Sequence, residues 1–490
     1  MTDLHFPWLS AAALLPLLGA LCIAGMRNRN AAWRWCLAFS GMALACSLAA
    51  WGDFISLDTA AAGDPLGDLP RWLGSEVFAI DQLSAPLVPM GALLFFLITL
   101  ATQRGKGLRF PFAASLISQS ILLATLSCRT PWGVVLLLAI GVIPPWWELR
   151  ERGCCVRVYA FHMASFVALL VLGWWLVELD QAAVTAGNST SRATLMFAPL
   201  ILAIFIRTGT TPFHCWMTDL FEHATFGTSL VYVTPMVGVY AALRLLLPVA
   251  TEQELHWISY CALGTAVYAA GLALVQKQVR SFFCYLLLSH AALVLFGVLT
   301  ISPLGLTGAL CIWLSMGISL SGLGLTLRAL EARHGRLSLA DYRGAYEHTP
   351  LLAVSFLITG LASVGFPGTL GFLGTEILVD GAIHMNPLLG VAVVVAATLN
   401  GIAVVQTYFK LFTGTRHVSP VPLHVNLREK VAMVTFAAII FGGGMLPQPG
   451  VQARFEAAEK LLGDRSSPRD DHSPLVIKTV TSPRGEASSP

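Results

Sequence analysis

Ionisable side chains interrupt an apolar run at residues 203–223, AIFIRTGTTPFHCWMTDLFEH. A charge at bilayer depth costs about 2–3 kcal/mol or more, so it is rare outside a polar path. Because an imidazole exchanges its proton near neutral pH, His214 could relay protons while Arg207 supplies fixed positive charge. The alternative is structural: Arg207 pairs with a carboxylate, and His214 caps the break in the helix.

Asp219, Glu222 and His223 close this stretch. Carboxylates and imidazoles are common proton-transfer groups, and these three are close enough in sequence to form a relay. They could equally mark the edge of the membrane, and both interpretations stay open.

Three more ionisable residues are candidates for a proton path. His290 lies inside an apolar run, where a lone histidine is either a relay or a hydrogen-bonded core residue. Glu376 follows a glycine- and proline-rich interruption, and Asp380 shares its helix face nearer the outer surface. Lys410 fits either a path residue or an anchor at the inner surface.

Three other charged residues are expected to be structural or interfacial. Asp81 precedes the third apolar run and is expected to hold that helix near its outer end. Glu148 closes the fifth run, where an interfacial role is favoured. Arg280 is interpreted as an anchor at the inner membrane surface.

Two apolar runs are broken by glycine and proline. Gly209 and Pro212 interrupt the seventh run, and Gly365 and Pro367 interrupt the twelfth. Broken helices at matching places in two halves of a chain indicate an inverted-repeat transporter. The spacing predicts two inverted five-helix repeats, comprising helices 4–8 and helices 9–13.

The composition predicts an all-α polytopic membrane protein. Of 490 residues, 56% are hydrophobic and 12% are charged, whereas about 25% of residues are charged in soluble proteins. The net charge of +3 is too small to suggest a nucleic-acid partner. Because about 20 apolar residues cross a bilayer, we predict about fourteen transmembrane helices, at 7–25, 33–51, 82–102, 110–128, 131–148, 158–178, 193–215, 228–248, 257–276, 282–300, 305–327, 350–382, 388–410 and 430–448.

Basic residues occupy alternate loops. Three lie in one set, Arg71, Arg129 and Arg192; nineteen lie in the other, namely Arg27, Arg29, Arg34, Arg104, Lys106, Arg109, Arg150, Arg152, Arg157, Lys277, Arg280, Arg328, Arg333, Arg336, Arg343, Lys410, Arg416, Arg428 and Lys430. The positive-inside rule places the richer set in the cytoplasm and both termini outside. A bacterial inner membrane is the expected location.

The chain divides into five expected segments. Residues 1–109 hold helices 1–3, 110–248 the first repeat, 257–411 the second repeat, 412–465 the last helix with a short C-terminal helix, and 466–490 a disordered tail. The acidic outer loop 52–81 is expected to form a short structured cap.

Cofactor motifs are absent from the sequence. The ten cysteines are scattered, and there is no CxxC, GxGxxG, Walker or haem motif. We therefore expect no cofactor and no metal, so any redox chemistry belongs to partner chains.

Four segments in order resemble the antiporter-like membrane chains of respiratory complex I, the NADH:quinone oxidoreductase M/L/N type, to which Mrp-type cation/proton antiporter chains are related. They are FAIDQLSAPLVPM, TPFHCWMTDL with VGVYAALR, QKQVRSFFCYLLLSHAALVLFG and LASVGFPGTLGFLGTEIL. The resemblance covers roughly residues 75–415 and is closest to the M type. It implies a midplane row of charged residues that moves protons, with subunits of a larger complex as partners.

This sequence departs from the family pattern at several charged positions. The fifth-helix glutamate falls among Leu136–Gly141, which contains no acid, and the eighth-helix lysine falls near Pro235–Met236. Arg207 stands where a lysine is usual, and an arginine does not release its proton at physiological pH. Thr375 occupies the charged position at the second break, with Glu376 next to it.

The favoured interpretation is an M-like, non-redox membrane subunit of a complex I-like assembly that translocates protons. The alternatives are a cation/proton antiporter chain, the membrane chain of an inorganic-carbon uptake complex, and a scaffold subunit with impaired proton conduction.

Overall fold

The computed structural model describes residues 2–66, 77–102, 110–185, 197–414 and 425–466. Within these ranges the fold is almost entirely helical. The helices are α1 (Trp8–Ala24), α2 (Arg29–Leu57), α3 (Ser84–Leu100), α4 (Phe112–Ser127), α5 (Pro131–Gly141), α6 (Ile143–Glu151), α7 (Arg157–Thr185), α8 (Ala198–Thr208), α9 (Cys215–His223), α10 (Phe226–Val233), α11 (Val237–Ala241), α12 (Glu252–Val275), α13 (Val279–Val298), α14 (Pro303–His334), α15 (Pro350–Ser363), α16 (Leu370–Met385), α17 (Pro387–Phe412), α18 (Leu427–Met445) and α19 (Gln448–Ser466).

The predicted all-α membrane fold is confirmed, and each predicted apolar segment coincides with a helix or a pair of helices. Within the described ranges, eight helical segments are long and apolar enough to cross a membrane, if α5 with α6 and α10 with α11 and the following π-helical turn each count as one segment; the number is nine if α18 and α19 form one bent span. Five shorter helices are also apolar. The count of fourteen crossings and the two repeats stay predictions.

One predicted span differs from the structure. Residues 228–248 are not a continuous helix, because α10 ends at Val233 and α11 begins at Val237. A π-helical segment, Ala242–Leu246, follows directly. Pro235 explains the break, since its ring and missing N–H are incompatible with the interior of a helix.

A small sheet closes one end of the bundle. β1 (Thr2–Asp3) pairs in parallel with β2 (Ala61–Gly63), which pairs antiparallel with β3 (Ala79–Asp81). The Asp64 carboxylate accepts hydrogen bonds from the Leu9 and Ser10 N–H groups, which fixes the start of α1 to this cap. The expected cap is therefore present in the described part of the loop, although α2 runs on to Leu57.

Glycines allow α14 and α16 to pack with their backbones in contact. A Cβ at Gly308 would lie 2.5 Å from the Leu378 backbone nitrogen, and one at Gly381 would lie 2.6 Å from that of Gly305. Membrane helices associate through such small residues because lipid offers no hydrophobic driving force. This contact holds the second broken helix against the centre of the bundle.

Some sequence predictions fall outside the described residues. These are the tail beyond residue 466 and the basic residues Arg71, Arg104, Lys106, Arg109, Arg192 and Arg416. The expected short C-terminal helix coincides with α19.

Candidate functional site

The first break begins where α8 ends. Gly209 adopts a left-handed backbone with φ 75°, and its N–H donates to the Ile206 carbonyl while the Thr210 N–H donates to the Phe205 carbonyl. This pattern is the Schellman motif. The Trp216 indole N–H also donates to the Ile206 carbonyl, at 2.7 Å. The helix therefore ends with these two carbonyls bonded, as a membrane interior requires.

Arg207 lies in the last turn of α8 and is only 6% exposed. Its guanidinium carbon stands 4.3 Å from the centre of the Tyr232 ring and 5.5 Å from that of the Trp216 ring. Within the described chain it forms no ion pair, so the structural carboxylate pair is not seen there. Two such ring contacts contribute about 2 kcal/mol or more, whereas burying a charge costs several kcal/mol.

A cavity of about 40 Å³ lies beside Arg207. Leu137, Leu138 and Gly141 of α5 form part of its wall. These residues fall in the segment where the family resemblance expects an acidic side chain. The structure thus places apolar side chains and a cavity at the position of the family's acidic residue.

His214 occupies the first position before α9, beyond the exposed Pro212. Its ring packs against Tyr268 and Tyr285, with centroids 5.8 and 5.9 Å apart. Its side chain makes no capping hydrogen bond, and Nδ1 is buried without a partner in the described structure. The alternative in which His214 caps the break is therefore not observed.

A third break, which sequence analysis missed, lies between α10 and α11. Met236 has a left-handed backbone with φ 53°, and the Trp313 indole N–H donates to the Pro235 carbonyl at 3.3 Å. The buried Thr234 hydroxyl has no hydrogen-bond partner in the described structure. The signal was Pro235 itself, inside an otherwise apolar run. The family's eighth-helix lysine position thus falls on a kink covered by a tryptophan.

The second break repeats the geometry of the first. Gly365 has φ 83°, its N–H donates to the Ala362 carbonyl, and the Phe366 N–H donates to the Leu361 carbonyl. This is again a Schellman motif. Pro367 is exposed in the connection to α16.

His290 in α13 connects directly to this second break. It is 1% exposed; Nε2 lies 2.9 Å from the Ser363 carbonyl and Nδ1 lies 2.7 Å from the Leu286 carbonyl. A carbonyl only accepts, and a neutral imidazole has one N–H, so only a ring with both protons donates to both carbonyls. A neutral ring in this place would keep one of the two hydrogen bonds and leave the lone pair of its other nitrogen facing a carbonyl oxygen.

Glu376 and Thr375 occupy different faces of α16. Thr375 lines a cavity of about 10 Å³ together with His290, Ser363 and Asn400, a volume close to that of one water. Glu376 is exposed, so it does not join His290. Asp380, also exposed, lies 3.7 Å from His384.

Hydrogen bonds, joined through residues adjacent in the sequence, lead from each break towards the other. The Thr211 N–H, in the first break, donates to the Thr265 hydroxyl of α12 at 3.2 Å. The next residue of α12 is Ala266, and its carbonyl accepts a hydrogen bond from the Ser289 hydroxyl. The Ser289 hydroxyl in turn accepts one from the Asn400 side-chain amide at 2.9 Å. Ser289 adjoins His290 in α13. We call Thr211, Thr265, Ser289, His290 and Asn400 the polar connection.

A cavity of about 630 Å³ lies at the basic end of the bundle, where Arg280 closes α9. The guanidinium donates to the Phe221 carbonyl at 2.9 Å and the Ala224 carbonyl at 3.1 Å, and it pairs with Glu331 at 2.7 Å. A cation at the last carbonyls of a helix stabilises them. Arg280 therefore positions the end of the first broken helix.

Glu222 and His223 also line this cavity. Glu222 pairs with Arg336, and His223 Nδ1 lies 3.2 Å from the Asp219 carboxylate. The structure thus brings these three predicted residues together at one end of α9. Lys410 is half-buried in the last turn of α17 and forms no ion pair within the described residues.

Glu148 is buried in α6, with 2% exposure. One carboxylate oxygen accepts the Thr225 N–H at 2.8 Å and contacts Arg152 at 3.0 Å. The other oxygen has no hydrogen-bond partner in the described structure. Glu148 thus ties α6 to the start of α10.

Asp81 and Arg244 form a buried two-pronged pair at the opposite end. The two guanidinium nitrogens donate to the two carboxylate oxygens at 2.7 and 3.0 Å. Asp81 also accepts the Ser84 N–H, so it anchors α3 as expected from the sequence. Burial raises the pKa of the Asp81 carboxyl, but Arg244 outweighs this effect and holds the pKa well below its usual range. No local sequence pattern identifies Arg244 as the partner of Asp81.

Possible metal ligands do not cluster in the described chain. No group of three or more His, Cys, Asp or Glu side chains there is arranged to hold a metal ion. The expectation that the chain needs no metal or cofactor stays a prediction.

Known proteins match both the sequence and the fold. Residues 160–400 match the family described as NADH:quinone oxidoreductase/Mrp antiporter, TM. NADH-quinone oxidoreductase subunit M of Rickettsia prowazekii is 28% identical over 275 residues, covering 55% of this chain. The chain spans just over half the length of that relative, 56%.

Two solved structures share the fold. A chain of respiratory complex I from Thermus thermophilus has a TM-score of 0.80 at 22% identity and covers 94% of this chain and 100% of its own length. A chain of the Mrp complex from a Dietzia species has a TM-score of 0.77 at 17% identity and covers 93% and 97%. With the apolar helices, these findings show that the chain is an integral membrane protein, and that its residues 160–400 belong to the NADH:quinone oxidoreductase/Mrp antiporter transmembrane family.

Proposed function

We propose that the chain is a membrane subunit of a complex I-like NADH:quinone oxidoreductase assembly and takes part in proton translocation coupled to electron transport. The names of its relatives support this function, and so does the family match. Its partners would be the other membrane and peripheral subunits, which supply the redox chemistry.

The observation that carries the proposal is the polar connection between two similarly broken helices. His290 lies where this connection meets the second break, and its Nε2 is hydrogen-bonded to the carbonyl of Ser363 at the end of α15. Buried polar groups in a membrane interior are costly and mark ion or proton pathways. Movement at either break would change the hydrogen bonds of this connection and so the position of its protons.

Matching breaks also support the two five-helix repeats, which we propose for residues 110–248 and 257–411. Both breaks end in a Schellman motif with a left-handed glycine, at Gly209 and Gly365. An inverted repeat places such breaks on either side of the pathway.

We further propose that the basic end of the bundle faces the cytoplasm of a bacterium and that both termini face outwards. Arginines from several basic loops line the same cavity of about 630 Å³, namely Arg152, Arg280, Arg328 and Arg336. This shared cavity supports the placement of those loops at one end of the bundle. The positive-inside rule assigns that end to the cytoplasm.

A scaffold subunit with reduced conduction is the second candidate. The uncompensated Arg207 and the tryptophan-covered kink at Pro235 favour it, because both replace groups that would exchange protons. This candidate shares the fold and the partners and differs only in the flux through this chain.

Proteoliposomes containing the purified assembly separate these functions. With NADH and a quinone added, we expect proton uptake that falls in Arg207→Ala and in His290→Gln without loss of the assembly. Unchanged flux in both variants would favour the scaffold. Exchange driven by Na⁺ or K⁺ without NADH would instead identify an antiporter.

A further inference from the structure

The buried charge of Arg207 is not matched by any carboxylate in the described structure. Its contacts are the faces of Tyr232 and Trp216, and it makes no hydrogen bond there. The Tyr232 hydroxyl is directed away, donating to the Met163 sulfur at 3.6 Å. Aromatic faces stabilise a cation without neutralising it, so the site keeps a net positive charge.

The adjoining cavity has room for a small ion. Its volume of about 40 Å³ exceeds the roughly 10–15 Å³ that one water needs. Arg207 lines it together with Leu137, Leu138 and Gly141, and so does Ser118, whose hydroxyl makes no hydrogen bond in the described chain. The cavity thus combines a full positive charge with one free hydroxyl donor.

These walls favour a monatomic anion over an oxyanion. Sulfate or phosphate needs donors on several sides, because each of its oxygens must be satisfied when buried. Here the donors come from the Arg207 and Ser118 sides, while the α5 side is apolar. A halide has no separate oxygens to satisfy, so an apolar wall costs it less binding free energy than it costs an oxyanion. Chloride is also only slightly larger than a water molecule.

We propose that this cavity binds one chloride ion, which neutralises Arg207 and links α8 to α5. The ion takes the place that an acidic side chain on α5 would fill. This inference does not depend on the electron donor or on proton flux, so it can fail while the proposed function stands.

Equilibrium binding of radioactive chloride to the full assembly in lipid nanodiscs tests the site. We expect saturable binding of one chloride per chain, displaced by bromide but not by sulfate. Arg207→Gln should lose this binding. Absence of saturable chloride binding to the wild type would overturn the proposal, as would equal displacement by sulfate.

A second variant keeps the test valid if Arg207→Gln fails to fold. Gly141→Asp supplies a carboxylate at the cavity, and its Cβ would meet only Ile121, at an ordinary 3.5 Å. It should exclude chloride, whereas the neutral control Gly141→Asn should bind it. Chloride binding to Gly141→Asp at the wild-type level would contradict the site.

Discussion

Individual residues at the breaks were identifiable from their types, but their partners were not. His290 was a candidate from its apolar surroundings, and the structure bonds it to Ser363. Glu376 was the candidate at the second break, next to Thr375, yet one residue along a helix is a rotation of about 100°. Sequence periodicity in an apolar helix does not set that rotation, so the exposed face of α16 could not be foreseen.

Asp81 shows the same limit, because its partner Arg244 lies 163 residues away. Removing one member of a buried pair leaves the other charged and unpaired, at a cost of about 3–5 kcal/mol. We therefore expect Asp81→Asn to lower the free energy of unfolding by this amount at neutral pH. Thermal unfolding of the purified protein measures it. The control Asp380→Asn, at an exposed site, should change little.

The pH dependence of the Asp81 pair follows from the sign of its pKa shift. Because the pKa is lowered in the fold, the pair contributes full stability above the unfolded value of about 3.9. That contribution is lost as the pH falls towards the folded value. Asp81→Asn should therefore differ most from the wild type at neutral pH and least in acid.

Helices were well predicted by apolar length, and their breaks by glycine and proline. Pro235 was the exception, because a single proline within an apolar run is compatible with either a kinked or a broken helix. Close helix packing was not predictable either, since the sequence does not say which glycines face another backbone.

Gly308 tests the packing of α14 against α16. A Cβ there would stand 2.5 Å from a backbone nitrogen, so Gly308→Ala must push the two helices apart. Overpacking of this kind costs about 1–3 kcal/mol, which thermal unfolding should detect. Gly271→Ala in α12 is the matched control, because its Cβ would meet nothing within 4 Å. A stable Gly308→Ala variant would argue against this helix contact.

The whole molecule separates a basic end from a capped end. Charge counting predicted this arrangement, whereas the polar connection depends on contacts between α12, α13 and α17 that no local pattern reports. Orientation can be measured with an impermeant maleimide on intact cells, with native cysteines replaced by serine. Asp58→Cys should react from outside, and Asp341→Cys only after permeabilisation. The reverse pattern would invert the proposed topology.

The most direct test of the account is the number of protons moved per NADH oxidised when His290 cannot titrate. In proteoliposomes of the intact assembly, we predict that His290→Gln lowers this ratio. His384→Gln, the same change at an exposed histidine, should leave it at the wild-type value. An unchanged ratio in an assembled His290→Gln variant would contradict proton transfer through the polar connection.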